Sequence, residues 1–184
     1  RGLVSPATPP TMATDNKYDR QLRLWGKEGQ LRLASANVCV LGAGPTATET
    51  LKNLVLPGLG KFTVVDGGVV GAADMGNNFF VSQESLGRPR AEVVRDLLVE
   101  MNPNDCQGAA KVCDPAQLVA QEPDFLLGFS LVIATQLDPQ PLLALAEVGR
   151  SFVLLSSPLF FVISLLSLYS LHSLFLSFFL SFFL

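Results

Sequence analysis

NVCVLGAGPTATETLKNLVLPGLGKFTVVD, Asn37 to Asp66, is the stretch that decides the fold. Asn37 to Leu41 is short, apolar and partly β-branched, as a strand buried on both faces should be. Gly42-Ala43-Gly44 then turns the chain. Pro45 suits a first helical turn, where its missing N–H costs little. Leu51, Leu54 and Val55 share one helical face, and Pro57-Gly58 stops the helix. Lys61 to Asp66 (KFTVVD) reads as a second strand. Strand, glycine turn, helix and strand make one βαβ unit.

The turn itself has the pattern Gly42-x-Gly44-x-x-Ala47, and Asp66 ends the next strand. The first glycine permits the tight turn and the second lets a phosphate approach the backbone. A third small residue lets helix and strand pack closely. The helix N-terminus favours an anion, and the acid can take ribose hydroxyls. Gly42, Gly44, Ala47 and Asp66 are therefore candidate nucleotide-binding residues. A purely structural turn needs the same small residues, and no lysine or arginine lies in the turn to meet phosphate charge. Both readings stand at this point.

Outward from the unit, Tyr18 to Ala36 is helical in pattern, with Leu22, Trp25, Gly29 and Leu33 at steps of three or four. Residues 67–87, rich in glycine and polar groups, suggest a loop over the carboxyl edge of the sheet. Arg88 to Met101 is amphipathic, with Ala91, Val94, Leu98 and Met101 on one stripe, and Asn102-Pro103 ends it. A weak strand is expected near Ala109–Cys113, a buried strand at Ser130–Thr135, a helix over Pro139–Val148 and a last strand at Phe152–Leu155. This alternation predicts an α/β domain, a Rossmann-like parallel sheet with helices on both faces, over residues 16–156.

Charge divides the chain in two. All the lysines, arginines, aspartates and glutamates lie in 1–150, and none in 151–184, so the two stretches need separate readings. A net charge of -3 gives no basic footprint for nucleic acid. Three cysteines (Cys39, Cys106, Cys113), no C-x-x-C and no signal peptide argue for reduced thiols in cytosol or nucleus. Cys39 reads as a small buried hydrophobe, and none of the three looks like a catalytic thiol. The single histidine, His172, lies in the uncharged stretch, which argues against a histidine zinc site or a Ser–His–Asp triad. Residues 1–15, with Pro6, Pro9 and Pro10, read as a disordered leader in which Met12 could be the true start.

Residues 157–184 are a Leu/Ser/Phe tail, and 159–184 hold no charge, glycine or proline. Such a length could span a bilayer. Its serine density and the lack of flanking basic residues argue otherwise. Leu, Ser and Phe also have pyrimidine-rich codons, as translated intron sequence before a splice acceptor would. A non-native tail is the expectation here; a membrane segment and an orphan core segment are the alternatives.

Several separated segments are similar to the ubiquitin-like modifier activating family, which has a ThiF/MoeB-type fold. Tyr18-Asp19-Arg20-Gln21-Leu22-Arg23-Leu24-Trp25-Gly26 resembles its opening helix. Leu51 to Asp66 resembles the stretch after its glycine turn. Gly87 to Val93 (GRPRAEV) and Met101-Asn102-Pro103 resemble its next helix and stop. The resemblance covers about residues 16–155, in matching order and spacing, and stops near Ser156.

The resemblance implies adenylation of a modifier's C-terminal glycine with ATP and magnesium, but two positions depart from it. Gly76-Asn77-Asn78-Phe79 stands where the family has Asn-Arg-Gln-Phe, so Asn77 replaces a phosphate-binding arginine. Arg90 stands where a phosphate-binding lysine is expected. Losing a guanidinium removes a charge-assisted contact, and arginine is no neutral substitute for lysine. The resemblance therefore implies an inactive adenylation half in a heterodimer, truncated here, that binds no cofactor itself. ATP and magnesium would belong to a catalytic partner subunit, which also carries the modifier. The runs at Gly76–Phe80 and Ala134–Leu137 (ATQL) are closer to the regulatory branch serving neddylation than to the one serving sumoylation.

The family's Tyr-Asp-Arg-Gln arginine enters the partner's ATP site, which assigns that task to Arg20. The bland alternative is a surface arginine paired with Asp19 or a nearby acid. Asp66 would be vestigial, orienting the loop. Against this stand a self-sufficient ATP- or NAD-binding enzyme, motivated by the turn and Asp66, and a tail-anchored interaction module.

Overall fold

The structure, a computed structural model, describes residues 17–135, 137–153 and 161–165. The elements run α1 (Asp19–Ser35), β1 (Asn37–Leu41), α2 (Pro45–Val55), β2 (Lys61–Val65), α3 (Ala72–Met75), α4 (Arg90–Met101) and β3 (Gln107–Lys111). Then follow α5 (Pro115–Gln121), β4 (Leu131–Thr135), α6 (Pro139–Val153) and β5 (Phe161–Leu165). Short 3₁₀ turns at Gln83–Ser85 and Pro123–Gly128 complete the elements among the described residues. The sheet is wholly parallel, in the order β3-β2-β1-β4-β5. Such an order reverses between β1 and β4, which opens a crevice at the carboxyl edge.

Alternation along the strands explains why they read as continuous apolar runs. Val38 and Val40 of β1, Phe62 and Val64 of β2 and Ile133 of β4 join a core with Leu33, Leu51, Leu54, Val94 and Leu98 from α1, α2 and α4. Cys39, Leu41, Val65, Val132 and Ala134 face the other way and meet Leu118, Val119, Leu126 and Leu145 from α5, the second 3₁₀ turn and α6. β1, β2 and β4 are thus buried on both faces, as a parallel sheet demands, while β3 at the edge is only partly covered.

Several expectations shift. α1 is not one helix but two, merged across a kink at Gly26, whose φ of 71° and ψ of 179° are not helical. β3 pairs Lys61 with Gln107 and so lies two residues earlier than the apolar pattern suggested. The 67–87 loop contains α3, clamped from outside by Arg90 as described below. α5 was not foreseen, although Asp114 caps it by accepting from the Ala116 N–H and Pro115 stands at its first turn. The strand expected at Phe152–Leu155 is overturned for Phe152 and Val153, which finish α6; 154–155 lie outside the described residues. The edge strand comes instead from Phe161–Leu165, within the stretch assigned to the tail, and pairs with Leu131–Thr135. The leader 1–15 and the rest of 157–184 lie outside the described residues. Among the described residues no helix is long and apolar enough to cross a membrane.

At the amino edge, α1 is tied down by a polar clasp. The buried Tyr18 hydroxyl donates to Asp105 Oδ2 at 2.7 Å and accepts from Asn102 Nδ2 at 3.0 Å. Asn102 Nδ2 also donates to the Val55 carbonyl at 2.9 Å. Lys17 Nζ reaches Asn102 Oδ1 at 2.5 Å and Asp105 Oδ2 at 2.9 Å. Hydrogen bonding from Lys17, then from Tyr18, holds the Asp105 carboxyl below the usual aspartate range. A carboxyl depressed in the folded state stabilises it above the ordinary aspartate value, about pH 4, and that contribution disappears as pH falls through the folded value. Asp105→Asn should therefore flatten the acid limb of stability measured by urea unfolding between about pH 5 and pH 2. An acid limb as steep as the wild type's would show that the clasp carries no net charge coupling.

Candidate functional site

The glycine turn folds as the sequence requires. Gly42 has φ 99°, and a Cβ there would lie 2.7 Å from Thr135 Oγ1 and 2.9 Å from its carbonyl oxygen, so only glycine fits. Gly44 is extended and precedes Pro45, which opens α2. Ala47 is fully buried, allowing α2 to lie close on β1 and β4.

Several polar atoms of this turn have intramolecular partners. The Ala43 N–H donates to Asp66 Oδ2 at 2.8 Å. The Ala43 carbonyl accepts from Asn78 Nδ2 at 3.3 Å, while Asn78 Oδ1 accepts from the Thr48 hydroxyl at 3.3 Å and the Phe80 N–H at 3.0 Å. Asn78 and Phe80 are buried against the turn, whereas Asn77 and Phe79 point to solvent. The segment that replaces the family's Asn-Arg-Gln-Phe run thus inserts a neutral amide into the turn and leaves Asn77 outside.

Asp66 sits one residue past β2 and is 6% exposed. Its Oδ1 accepts from the Gly68 N–H at 2.7 Å and from Arg90 at 3.1 Å; its Oδ2 accepts from Arg90 Nη2 at 3.0 Å and Nε at 3.3 Å. The same guanidinium donates to Asp74 Oδ1 at 3.1 Å. A forked group on two carboxylates uses geometry that lysine lacks. Burial alone would pull the Arg90 pKa down, but Asp66 and Asp74 outweigh it and the value is raised. Arg90 therefore stays a cation, closing a bridge from β2 through α4 to α3.

These residues border a cleft of about 500 Å³ at the carboxyl edge, lined also by Cys113, Asp114, Thr135 and Asp138. Asp66 is the member of the sequence-derived set that reaches it; Gly42, Gly44 and Ala47 lie buried beneath. Three aspartates line the cleft beside one arginine already held by two carboxylates. A triphosphate would meet acid where it needs cations, so this lining does not fit ATP phosphates. Among the described residues no cluster of three metal-ligating side chains occurs.

The remaining candidates fall elsewhere. Arg20 is exposed near the start of α1, at the amino edge of the sheet. Five-residue strands at about 3.3 Å per residue put roughly 16 Å between that edge and the cleft. Asp19 pairs with Arg23 at 2.7 Å, not with Arg20, which has no ion pair or hydrogen bond among the described residues. Trp25 packs on the core and donates to Gln30 Oε1 at 3.0 Å, which makes it a packing anchor. Burial pushes all three thiols up, Cys106 to about 11, which leaves none as a thiolate at neutral pH. Tyr18, Asn78, Asn102 and Asp105 were not foreseen as polar centres, because contacts between distant segments leave no local periodicity.

A ThiF family model matches residues 18–128. The chain is 53% identical over 133 residues to the NEDD8-activating enzyme E1 regulatory subunit of Xenopus laevis, covering 72% of this chain and 25% of that one. It is 50% identical over 134 residues to the Gallus gallus protein of the same name, covering 73% and 25%. The DNA damage tolerance protein rad31 of Schizosaccharomyces pombe is 37% identical over 134 residues, covering 72% and 42%. The chain thus spans about a quarter of the length of the NEDD8-activating enzyme relatives it matches. In fold it is similar to the E. coli tRNA N6-threonylcarbamoyladenosine dehydratase TcdA, solved with AMP (TM-score 0.70, 21% identity, 86% of this chain and 61% of that one). It is also similar to PaaA (TM-score 0.71, 14% identity, 90% and 52%).

Proposed function

The chain belongs to the ThiF family, and on that premise we propose that it is the non-catalytic, regulatory part of a two-subunit enzyme that activates a ubiquitin-like modifier in neddylation. The catalytic subunit holds ATP and magnesium, carries out the chemistry and binds the modifier with this subunit's help. Arg20 enters the partner's nucleotide site from outside. Three free thiols suit cytoplasm and nucleus.

The observation that carries this reading is the Arg90 bridge. The cation nearest the expected ribose-binding acid is spent on Asp66 and Asp74, and the glycine turn's Ala43 N–H is spent on Asp66. Binding a nucleotide would require these charge-assisted bonds to be exchanged for contacts with a polyanion, beside further carboxylates. Exchange of that kind is unfavourable in a low-dielectric cleft. Relatives at about half identity whose printed name is that of a regulatory subunit support the assignment to neddylation.

The purified chain, titrated with ATP and with NAD in a calorimeter, should show no submillimolar binding. Mixed with the catalytic subunit at micromolar concentration, it should co-elute, and modifier adenylate should form only in the mixture. Adenylate from the single chain, or nucleotide bound below millimolar, would favour the self-sufficient enzyme instead. Failure to co-elute would remove the regulatory reading.

A further inference from the structure

Three stretches widely separated in sequence, Tyr18-Asp19-Arg20, Pro57-Gly58 and Met101-Asn102-Pro103, converge at the amino edge of the sheet. Tyr18 is the residue on which α1 starts: its carbonyl accepts from the Leu22 N–H at 2.8 Å. Its side chain does not cap the helix. The hydroxyl turns inward to Asp105 and Asn102, and Asn102 in turn holds the Val55 carbonyl at the end of α2. Gly58 makes room for the ring. A Cβ there, at φ 108°, would lie 3.0 Å from Tyr18 Cζ and 2.8 Å from Gln30 Nε2. Gln30 donates to the Pro57 carbonyl at 2.8 Å and accepts from Trp25. Both halves of the kinked helix are thereby fastened to one turn.

The helical segment before Gly26 has about two turns, too short to persist by itself in water. Its outer face carries exposed Asp19, Arg20, Arg23 and Leu24, which lend it no packing. Its position is fixed at its start by Tyr18 and the residues that hold Tyr18, and at its end by Trp25, which packs on the core.

Resting on the reading of Arg20 as a group supplied to the partner, we propose that Tyr18, Asn102 and Asp105 are positioning residues for Arg20. They set the first turn of α1 against α2 and α4, so the guanidinium two residues on is presented from a fixed backbone. A charge that acts only when it meets the reacting phosphates in the right place gains from such fixing. Misplacement by about 1 Å can cost on the order of 10²-fold in rate.

The test uses the full chain reconstituted with the catalytic subunit, comparing Tyr18→Phe, Asp105→Asn, Arg20→Ala and the double variant Tyr18→Phe/Arg20→Ala. Tyr18→Phe keeps the ring and removes the hydroxyl. It should lower kcat for adenylate formation on the order of 10-fold, with the modifier KM unchanged, and Asp105→Asn should act in the same direction. Because Tyr18 acts through Arg20, the double variant should be no slower than Arg20→Ala alone. In the free chain, Tyr18→Phe should also speed amide exchange at Leu22 by roughly 5-fold or more. Multiplying losses in the double variant, or unchanged exchange at Leu22, would reduce the clasp to a general structural feature. Full activity in Arg20→Ala sinks the partner-site reading and this proposal together. An impaired Arg20→Ala beside fully active Tyr18→Phe and Asp105→Asn sinks this proposal alone.

Discussion

Arg90→Ala should cost the fold about 3 kcal/mol, read as a lower urea midpoint and a melting temperature lower by roughly 6–12 °C. The truncation leaves the Asp66 carboxylate buried and without its cation. Removing one partner of a buried ion pair typically costs about 3–5 kcal/mol, because the orphaned charge loses its compensation. Asp66 keeps two backbone donors, the Ala43 and Gly68 N–H groups, which puts the expectation at the low end. Asp74 also loses its partner, which frees α3 from α4. Adding Asp66→Asn to Arg90→Ala should recover part of the loss, since a neutral amide no longer demands a cation. A loss below about 1 kcal/mol would mean that water screens the pair as it does at a surface, and the site would then be open to a competing anion.

That prediction rests on a feature only half legible in the sequence. The βαβ unit is legible because each signal is local: four apolar residues after Asn37, a glycine pair, Pro45 at a helix start and Pro57-Gly58 at its end. Two-sided burial of the strands followed from their lack of alternation, and the structure fills both faces as that demands. Arg90 reads as a departure from a lysine, yet nothing local says that it grips Asp66, twenty-four residues earlier, while bordering the cleft. Asn78 is similar. Its neighbour Asn77 drew attention as a lost arginine, while Asn78 enters the turn. The kink at Gly26 was missed because apolar spacing continues across it, with Trp25 and Gly29 both turned inward. The Phe152–Leu155 strand failed for a different reason. A short apolar run with one valine fits either a strand or the last turn of a helix, and α6 extended to claim its first two residues.

Arg20→Ala carries the largest expected effect on activity. In the reconstituted two-subunit enzyme it should lower kcat for adenylate formation by on the order of 10³-fold, the low end of what arginines supplied in trans contribute to phosphate chemistry. Its effect on the chain alone should be within about 0.5 kcal/mol, because the side chain is exposed and makes no ion pair or hydrogen bond among the described residues. That separation of stability from rate is the diagnostic. Arg23→Ala serves as the control: three residues on, it breaks an exposed pair with Asp19 and should change activity less than twofold. Arg20→Lys should recover only part of the rate, since lysine restores the charge but not the planar fork. If Arg20→Ala stays within twofold of the unchanged protein, the partner's site is neutralised without it. The amino edge of this chain would then have no catalytic task, and its cations would be ordinary surface charge. If the loss is as large as expected, the division of labour is physical: one cation, Arg90, is held by Asp66 and Asp74 beside the chain's own cleft, while another, Arg20, stands exposed at the opposite edge of the sheet.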